Sequence, residues 1–180
     1  RVGRSCLTQL VDHLDSVLKD LEAGHNVDVL YVDMAKAFDK VCHSRLLTKL
    51  ASVGVGGNIL TWLESFLVGR TQSVVVEGKL SRPETVRSGV PQGTVLGPIL
   101  FLLYVNDMPD VLQHSSMKLF ADDAKLHKTI RDESDRSLLL DDIERVGEWA
   151  VKNSMELNAD KYQLLQHGKN DLLKQPYKLP

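Results

Sequence analysis

The 180 residues carry 22 Lys and Arg against 24 Asp and Glu, a formal charge of −2, and 43% of the side chains are hydrophobic. That suffices for one sizeable core and is too little for two comfortable domains. It also lacks the basic surplus of a self-sufficient duplex binder, so the main electrostatic grip on any nucleic-acid partner is expected outside this chain. Cys6 and Cys42 stand in no metal-binding spacing and the six histidines are scattered, which argues against structural zinc and for a reducing compartment. The chain opens on Arg1 without an initiator Met or signal peptide, and its longest apolar run, Ile99 to Val105, is far below membrane-spanning length. It reads as a soluble internal fragment.

Cys6, Leu7, Leu10, Val11, Leu14, Val17, Leu18 and Leu21 recur at helical spacing after a Ser5 cap, and Gly24 offers a stop. The run VDVLYVD from Val27 is β-branched and apolar enough for a buried strand, delivering Asp33 to its C-terminal end. Helices are expected near Ser44 to Ser52 and Asn58 to Val68, joined by a glycine turn at Gly54 to Gly57. Thr71 to Val76 and Glu84 to Arg87 suggest a strand pair leading into SGVPQGTVLGP, a loop shaped by three glycines and two prolines. Pro98 suits the first turn of a helix through about Val105 that is apolar on nearly all sides, which implies burial. Met117 to Ala121 and Ala124 to Ile130 read as a tight hairpin with Asp122 and Asp123 at the bend. Leu138, Leu139, Ile143, Val146 and Trp149 mark a further helix, and Tyr162 to Leu165 a closing strand. Trp62 and Trp149 lie on apolar stripes and are expected in the core, Arg131 to Arg136 is expected to be a solvated charged face, and from Gly168 the pattern is lost.

Three acids then stand out in apolar surroundings. If the sheet sets their strands side by side, Asp33, Asp122 and Asp123 converge, and such a cluster requires divalent cations to offset its repulsion. Hard oxygen ligands point to Mg²⁺, and two ions about 4 Å apart are the machinery of in-line phosphoryl displacement in polymerases and nucleases. Standing alone, an Asp-Asp pair would read as a solvated turn.

The chain resembles the reverse transcriptases of retrotransposons lacking long terminal repeats. RVGRSCLTQL resembles the segment before the palm, YVDMAKAFDKV the first catalytic block, SGVPQGTVLGPILFLLYVNDMP the second, LFADDAKL the third and LNADKYQLL the fourth, in family order. The resemblance implies Asp33 and Asp122 as principal metal ligands, with Asp123 as the supporting acid. It places Phe38 beneath the incoming sugar, where a bulky ring excludes a 2′-hydroxyl; its bland reading is a core Phe. Asp39 could simply cap the following turn. Gly89, Pro91, Gln92 and Gly93 match the loop approaching nucleotide and template, Gln92 offering amide donors and an acceptor, with turn stabilisation as the bland alternative. Lys161 matches a lysine that neutralises or protonates departing pyrophosphate; otherwise it is a surface lysine. The LHK after ADDAK and Tyr162, where a small hydroxyl residue is usual, depart from the family pattern without touching a metal ligand.

The expected fold is α+β: a polymerase palm whose antiparallel sheet, built near Val27, Met117, Ala124 and Tyr162, has helices packed on one face, with a fragment of fingers. Residues 1–167 are expected to be that fingers and palm fragment, and 168–180 a tail leading toward a thumb absent from this chain. The resemblance implies RNA-directed DNA synthesis from dNTPs on an RNA template and DNA primer, with two Mg²⁺ ions or Mn²⁺ as cofactors. It implies fingers and thumb segments as partners; no membrane partner is expected from so short an apolar run. Localisation stays open within the cell, a nuclear site being what the resemblance implies for an element that primes synthesis at its chromosomal target. The second reading is a truncated or decayed copy that keeps the fold and makes no DNA, and a distant third is a phosphoryl-accepting signalling domain.

Overall fold

The computed structural model describes residues 5–177. Residues 1–4 of the first matched block and the last three of the tail lie outside the described residues. In chain order the elements are α1 (Cys6–Glu22), β1 (Asn26–Val32), α2 (Ala37–Lys40), α3 (His43–Ser52), α4 (Gly57–Leu67), β2 (Thr71–Gln72), β3 (Val75–Val76), β4 (Lys79–Leu80), β5 (Glu84–Thr85), α5 (Leu96–Val105), β6 (Ser116–Phe120), β7 (Asp123–Ile130), α6 (Glu133–Lys152) and β8 (Gln163–His167). Short 3-10 turns occur at Met108–Val111, Ala159–Lys161 and Asp171–Leu173. No described helix is long and apolar enough to cross a membrane. Contacts group the chain into two compact units.

The first unit comprises residues up to Ala35, Asp107–Val151 and residues from Leu157 on. Its four-stranded antiparallel sheet has the order β6-β7-β1-β8, so the expected strands are present and the Val27 strand lies inside the sheet. Period-two geometry sends Asp28 and Lys128 to one face, where α6 meets them through Arg136 and Asp135. Val27, Val29, His127 and Thr129 share the other face with α1, through Val17, His13 and Asp20. The expected helical backing is therefore present on the α6 side, and α1 adds cover on the second face, which explains why β1 is buried almost throughout. Ser5 begins α1 as expected: its Oγ accepts from Thr8 N at 3.1 Å while Thr8 Oγ1 accepts from Ser5 N at 2.7 Å.

Charge corrects one expectation here. Asp135 and Arg136 are buried, Arg136 being only 5% exposed, because each meets a partner inside the unit: Lys128 Nζ lies 3.0 Å from Asp135, and Arg136 lies 3.9 Å from Asp28. Arg136 also donates to the carbonyls of Leu173 at 2.7 Å and Gln175 at 3.0 Å, and stacks on the Tyr177 ring, whose hydroxyl donates to Asp28. The patternless tail is thus held by polar contacts that hydrophobic periodicity does not register.

The second unit comprises Lys36–Asn106 and Lys152–Glu156. Its core gathers Leu46 and Leu50 of α3, Leu63 and Leu67 of α4, and Leu100, Phe101 and Tyr104 of α5. Both α3 and α4 begin one residue before their expected positions, and the expected strand pair forms as two short exposed pairings, β2 with β5 and β3 with β4. Two burial expectations fail. Trp62 is 55% exposed, because α4 turns Leu63 and Leu67 inward and leaves Trp62 stacked on Phe66 at 6.0 Å. The all-round apolar α5 also leaves Ile99 and Leu102 about half exposed. Trp149, in the first unit, is buried as expected.

Candidate active site

Sheet register positions the acids. Pairing of β1 with β7 ends at Val32 opposite Ala124, so Asp33 follows the last paired residue of one strand and Asp123 precedes its partner on the next. On the other side of β7, Phe120 pairs with Asp123, which makes Ala121-Asp122 a two-residue hairpin loop and Asp123 the first residue of the strand rather than part of the bend. Ala121 takes φ 52°, a left-handed value that costs a non-glycine residue on the order of 1 kcal/mol. Asp33 and Asp122 are half-buried and Asp123 is exposed.

The fourth block is fastened beside them. Met34 bridges Leu157, Asn158 N donates to the Asp33 carbonyl at 2.9 Å, and Lys161 N donates to the Asn158 carbonyl at 3.0 Å. This turn carries Lys161 Nζ to 3.1 Å from Asp33 Oδ2. Asn158 escaped the sequence reading, because its contribution here is a main-chain hydrogen bond.

Carboxylates at the neighbouring ends of two adjacent strands supply the hard oxygen donors that a divalent cation such as Mg²⁺ prefers. The donor set therefore fits such an ion in kind. Among the described residues no three acidic, histidine or cysteine side chains close on a single point, and the Asp33 carboxylate is instead neutralised by the Lys161 ammonium.

The remaining candidates lie in the second unit. Phe38, on α2, is half-buried and stacks on Phe101 with ring centres 4.4 Å apart. The SGVPQG loop is stitched to the turn that carries Phe38: Gly89 N donates to the Val41 carbonyl at 2.8 Å, Val90 N to the Phe38 carbonyl at 2.9 Å, and Ser88 Oγ to the Asp39 carbonyl at 2.8 Å. Gln92 Nε2 donates to Asp39 Oδ1 at 3.0 Å, so both exposed side chains are held by each other. Gly89 is buried at φ 90°, where a Cβ would stand 2.9 Å from Asp39 Cα; this glycine permits the crossing of the two segments. Pro91 is half-buried beside it and Gly93 turns at φ 77° in open space.

A family model described as reverse transcriptase (RNA-dependent DNA polymerase) matches residues 3–173. The probable RNA-directed DNA polymerase from transposon X-element of Drosophila melanogaster is 32% identical over 166 residues, covering 89% of this chain and 18% of that protein. The RNA-directed DNA polymerase from mobile element jockey of Drosophila funebris is 32% identical over 161 residues, covering 85% of this chain and again 18% of the relative. This chain thus spans under a fifth of the length of these curated relatives. Among solved structures, apo telomerase from Candida tropicalis truncated from its C-terminal domain superposes with a TM-score of 0.68 at 16% identity, over 93% of this chain and 36% of that one. Telomerase from Candida albicans, in complex with a fragment of telomeric RNA, gives 0.66 at 19% identity, over 88% and 30%. At such identities the likeness speaks to the fold, a polymerase palm.

Proposed function

This chain belongs to the reverse transcriptase (RNA-dependent DNA polymerase) family, and from that premise we propose that it is the catalytic core of a polymerase from a retrotransposon lacking long terminal repeats. The proposed reaction is template-directed: a primer 3′-hydroxyl attacks the α-phosphate of a deoxynucleoside triphosphate, a phosphodiester bond forms, and pyrophosphate leaves. The single observation that supports this most is the register of β1 and β7, which sets Asp33 and Asp123 at neighbouring strand ends with Asp122 in the adjoining turn.

Asp33 and Asp122 are the proposed principal ligands of two Mg²⁺ or Mn²⁺ ions, and Asp123 the supporting acid. When bound, such ions would activate the attacking hydroxyl and stabilise the leaving oxygen. Lys161 would offset charge on the pyrophosphate and donate a proton to it, for which it must leave Asp33. Phe38, backed by Phe101, would lie beneath the sugar and exclude a 2′-hydroxyl. Gly89, Pro91, Gln92 and Gly93 would shape the approach to nucleotide and template, with Gln92 exchanging its bond to Asp39 for one to the substrate. Residues 1–167 are assigned to the fingers and palm fragment, and 168–180 to a tail leading toward a thumb. Fingers and thumb from the longer polypeptide complete the grip on RNA template and DNA primer, in keeping with the formal charge of −2.

Template dependence tests the reading. The chain, alone and extended into its native flanking sequence, is incubated with a poly(rA)–oligo(dT) duplex, Mg²⁺ and dTTP. Incorporation that requires the RNA strand and discriminates against dCTP supports it; a folded, template-binding protein that adds no nucleotide in either form would leave the decayed-copy reading in its place.

A further inference from the structure

One carbonyl in the second unit receives two side chains. His43 Nε2 donates to Gly89 O at 2.8 Å, and Arg70 Nη2 donates to the same oxygen at 3.3 Å. His43 is the first residue of α3 and only 7% exposed; Arg70 follows α4, is half-buried, and anchors its Nε on the Leu67 carbonyl at 3.1 Å. A buried imidazole costs stability unless it is satisfied, and an apolar residue would fill the same space without that requirement. The two donors together occupy the bonding capacity of one oxygen. That oxygen belongs to the glycine through which the SGVPQG loop crosses the turn carrying Phe38, with Asp39 Cα so close that no side chain fits between. A shift at Gly89 is therefore passed to Val90, bonded to Phe38 O, and to Gln92, bonded to Asp39.

We infer that His43 and Arg70 form a clamp on the Gly89 carbonyl that sets the spacing between Phe38 and Gln92, and are thereby positioning residues for the incoming deoxynucleotide. Neither acts on the reacting atoms: each ends on the protein's own backbone. The inference rests on the nucleotide role proposed above for Phe38 and Gln92. It confines the effect of the clamp to nucleotide affinity and sugar choice, leaving the carboxylates of the first unit unaffected.

The test uses the extended chain and the variants His43→Ala, His43→Gln, Arg70→Ala and the double alanine variant. Readouts are dTTP KM and kcat on poly(rA)–oligo(dT), discrimination against UTP, and amide hydrogen exchange at Gly89 and Val90. Losing one hydrogen bond at the clamp is expected to raise KM about tenfold with little change in kcat and to relax discrimination against UTP. His43→Gln, which keeps an N–H donor, recovers most of the loss. The double variant loses less than the product of the two single effects, because both donors act on one oxygen. Unchanged KM and sugar choice in both single variants overturns the clamp, as does a fall in kcat alone. Should His43→Ala fail to fold, Arg70→Ala decides on the same readouts. Should the wild-type protein bind and incorporate no nucleotide, the polymerase reading fails separately, and amide exchange decides the clamp: faster exchange confined to Gly89 and Val90 upholds it, and unchanged exchange overturns it.

Discussion

Lys161 Nζ lies 3.1 Å from Asp33 Oδ2, joining the acid that follows β1 to the lysine of the fourth block. The pair is lopsided: the Lys161 side chain is 64% exposed and that of Asp33 25%. An ion pair so open to water contributes at most about 1 kcal/mol, which makes it breakable when a stronger cation or a phosphate competes.

Lys161→Met therefore has two separable effects. On the proposed assignment of Asp33 it is expected to tighten binding of Mn²⁺ by up to about fivefold, measured by electron paramagnetic resonance of the free ion. On the role proposed for Lys161 it is also expected to slow nucleotide incorporation, because the charge on pyrophosphate would lose its counterpart. Unchanged Mn²⁺ affinity would show that the pair does not compete with the cation.

Gly89→Ala and Gly93→Ala differ in what the added carbon meets. Both glycines have positive φ, but a Cβ on Gly89 would stand 2.9 Å from Asp39 Cα and one on Gly93 would meet nothing within 4 Å. Gly93→Ala is expected to cost about 1 kcal/mol from conformation alone, and Gly89→Ala distinctly more, about 2–3 kcal/mol, with a larger loss of dTTP affinity. Urea unfolding of the two variants checks the order.

Asp142 fastens the loop before β6. Its buried carboxylate accepts from Gln113 N and His114 N at 2.9 Å and from Ser115 N and Oγ at 2.7 Å. Burial pushes its pKa up, but these donors outweigh it and hold the carboxyl below its ordinary value, so its stabilisation is present at neutral pH and is lost as pH falls through the acid range. Asp142→Ala strands the donors and is expected to cost about 3–5 kcal/mol; Asp142→Asn costs less. A change in urea midpoint equivalent to under about 1 kcal/mol for Asp142→Ala would contradict this.

His13 and His127 meet edge to face at 5.5 Å between α1 and β7. Burial first, then Lys125, His127, Lys118 and His167, lowers the His13 pKa from 6.5 to about 4; burial and Lys118 lower that of His127. The unfolded chain takes up a proton at His13 below about pH 6.5 and the folded protein only near 4, so this contribution to stability is full above 6.5 and declines between those values, by up to ~3 kcal/mol. His13→Leu should flatten the change in urea midpoint between pH 7 and 5. A variant as pH-sensitive as wild type would contradict the assignment.

Strand β1 was legible from its valine-rich run, whereas β6 and β8 hold no β-branched residue and were marked only by their apolar positions; the Asp-Asp hairpin stands out against apolar flanks. Trp62 was misplaced because periodicity identifies an apolar stripe without saying which residue of it turns inward. The buried pairs Lys128–Asp135 and Arg136–Asp28 were missed since charge runs ordinarily face water and their partners lie on other elements. In the candidate site, motif order singled out the acids and the glycine loop. His43 and Arg70 were invisible for a different reason: both end on a backbone carbonyl, and no spacing rule links either to Gly89.

The most direct measurement is RNA-templated primer extension by the chain in its native flanking sequence, wild type against Asp122→Asn, with melting temperature followed in parallel. Extension by the wild type and a loss of at least ~100-fold in the variant at nearly unchanged stability are expected. Equal extension by the two proteins would contradict the assignment of Asp122 to the metal site and with it the proposed catalytic centre.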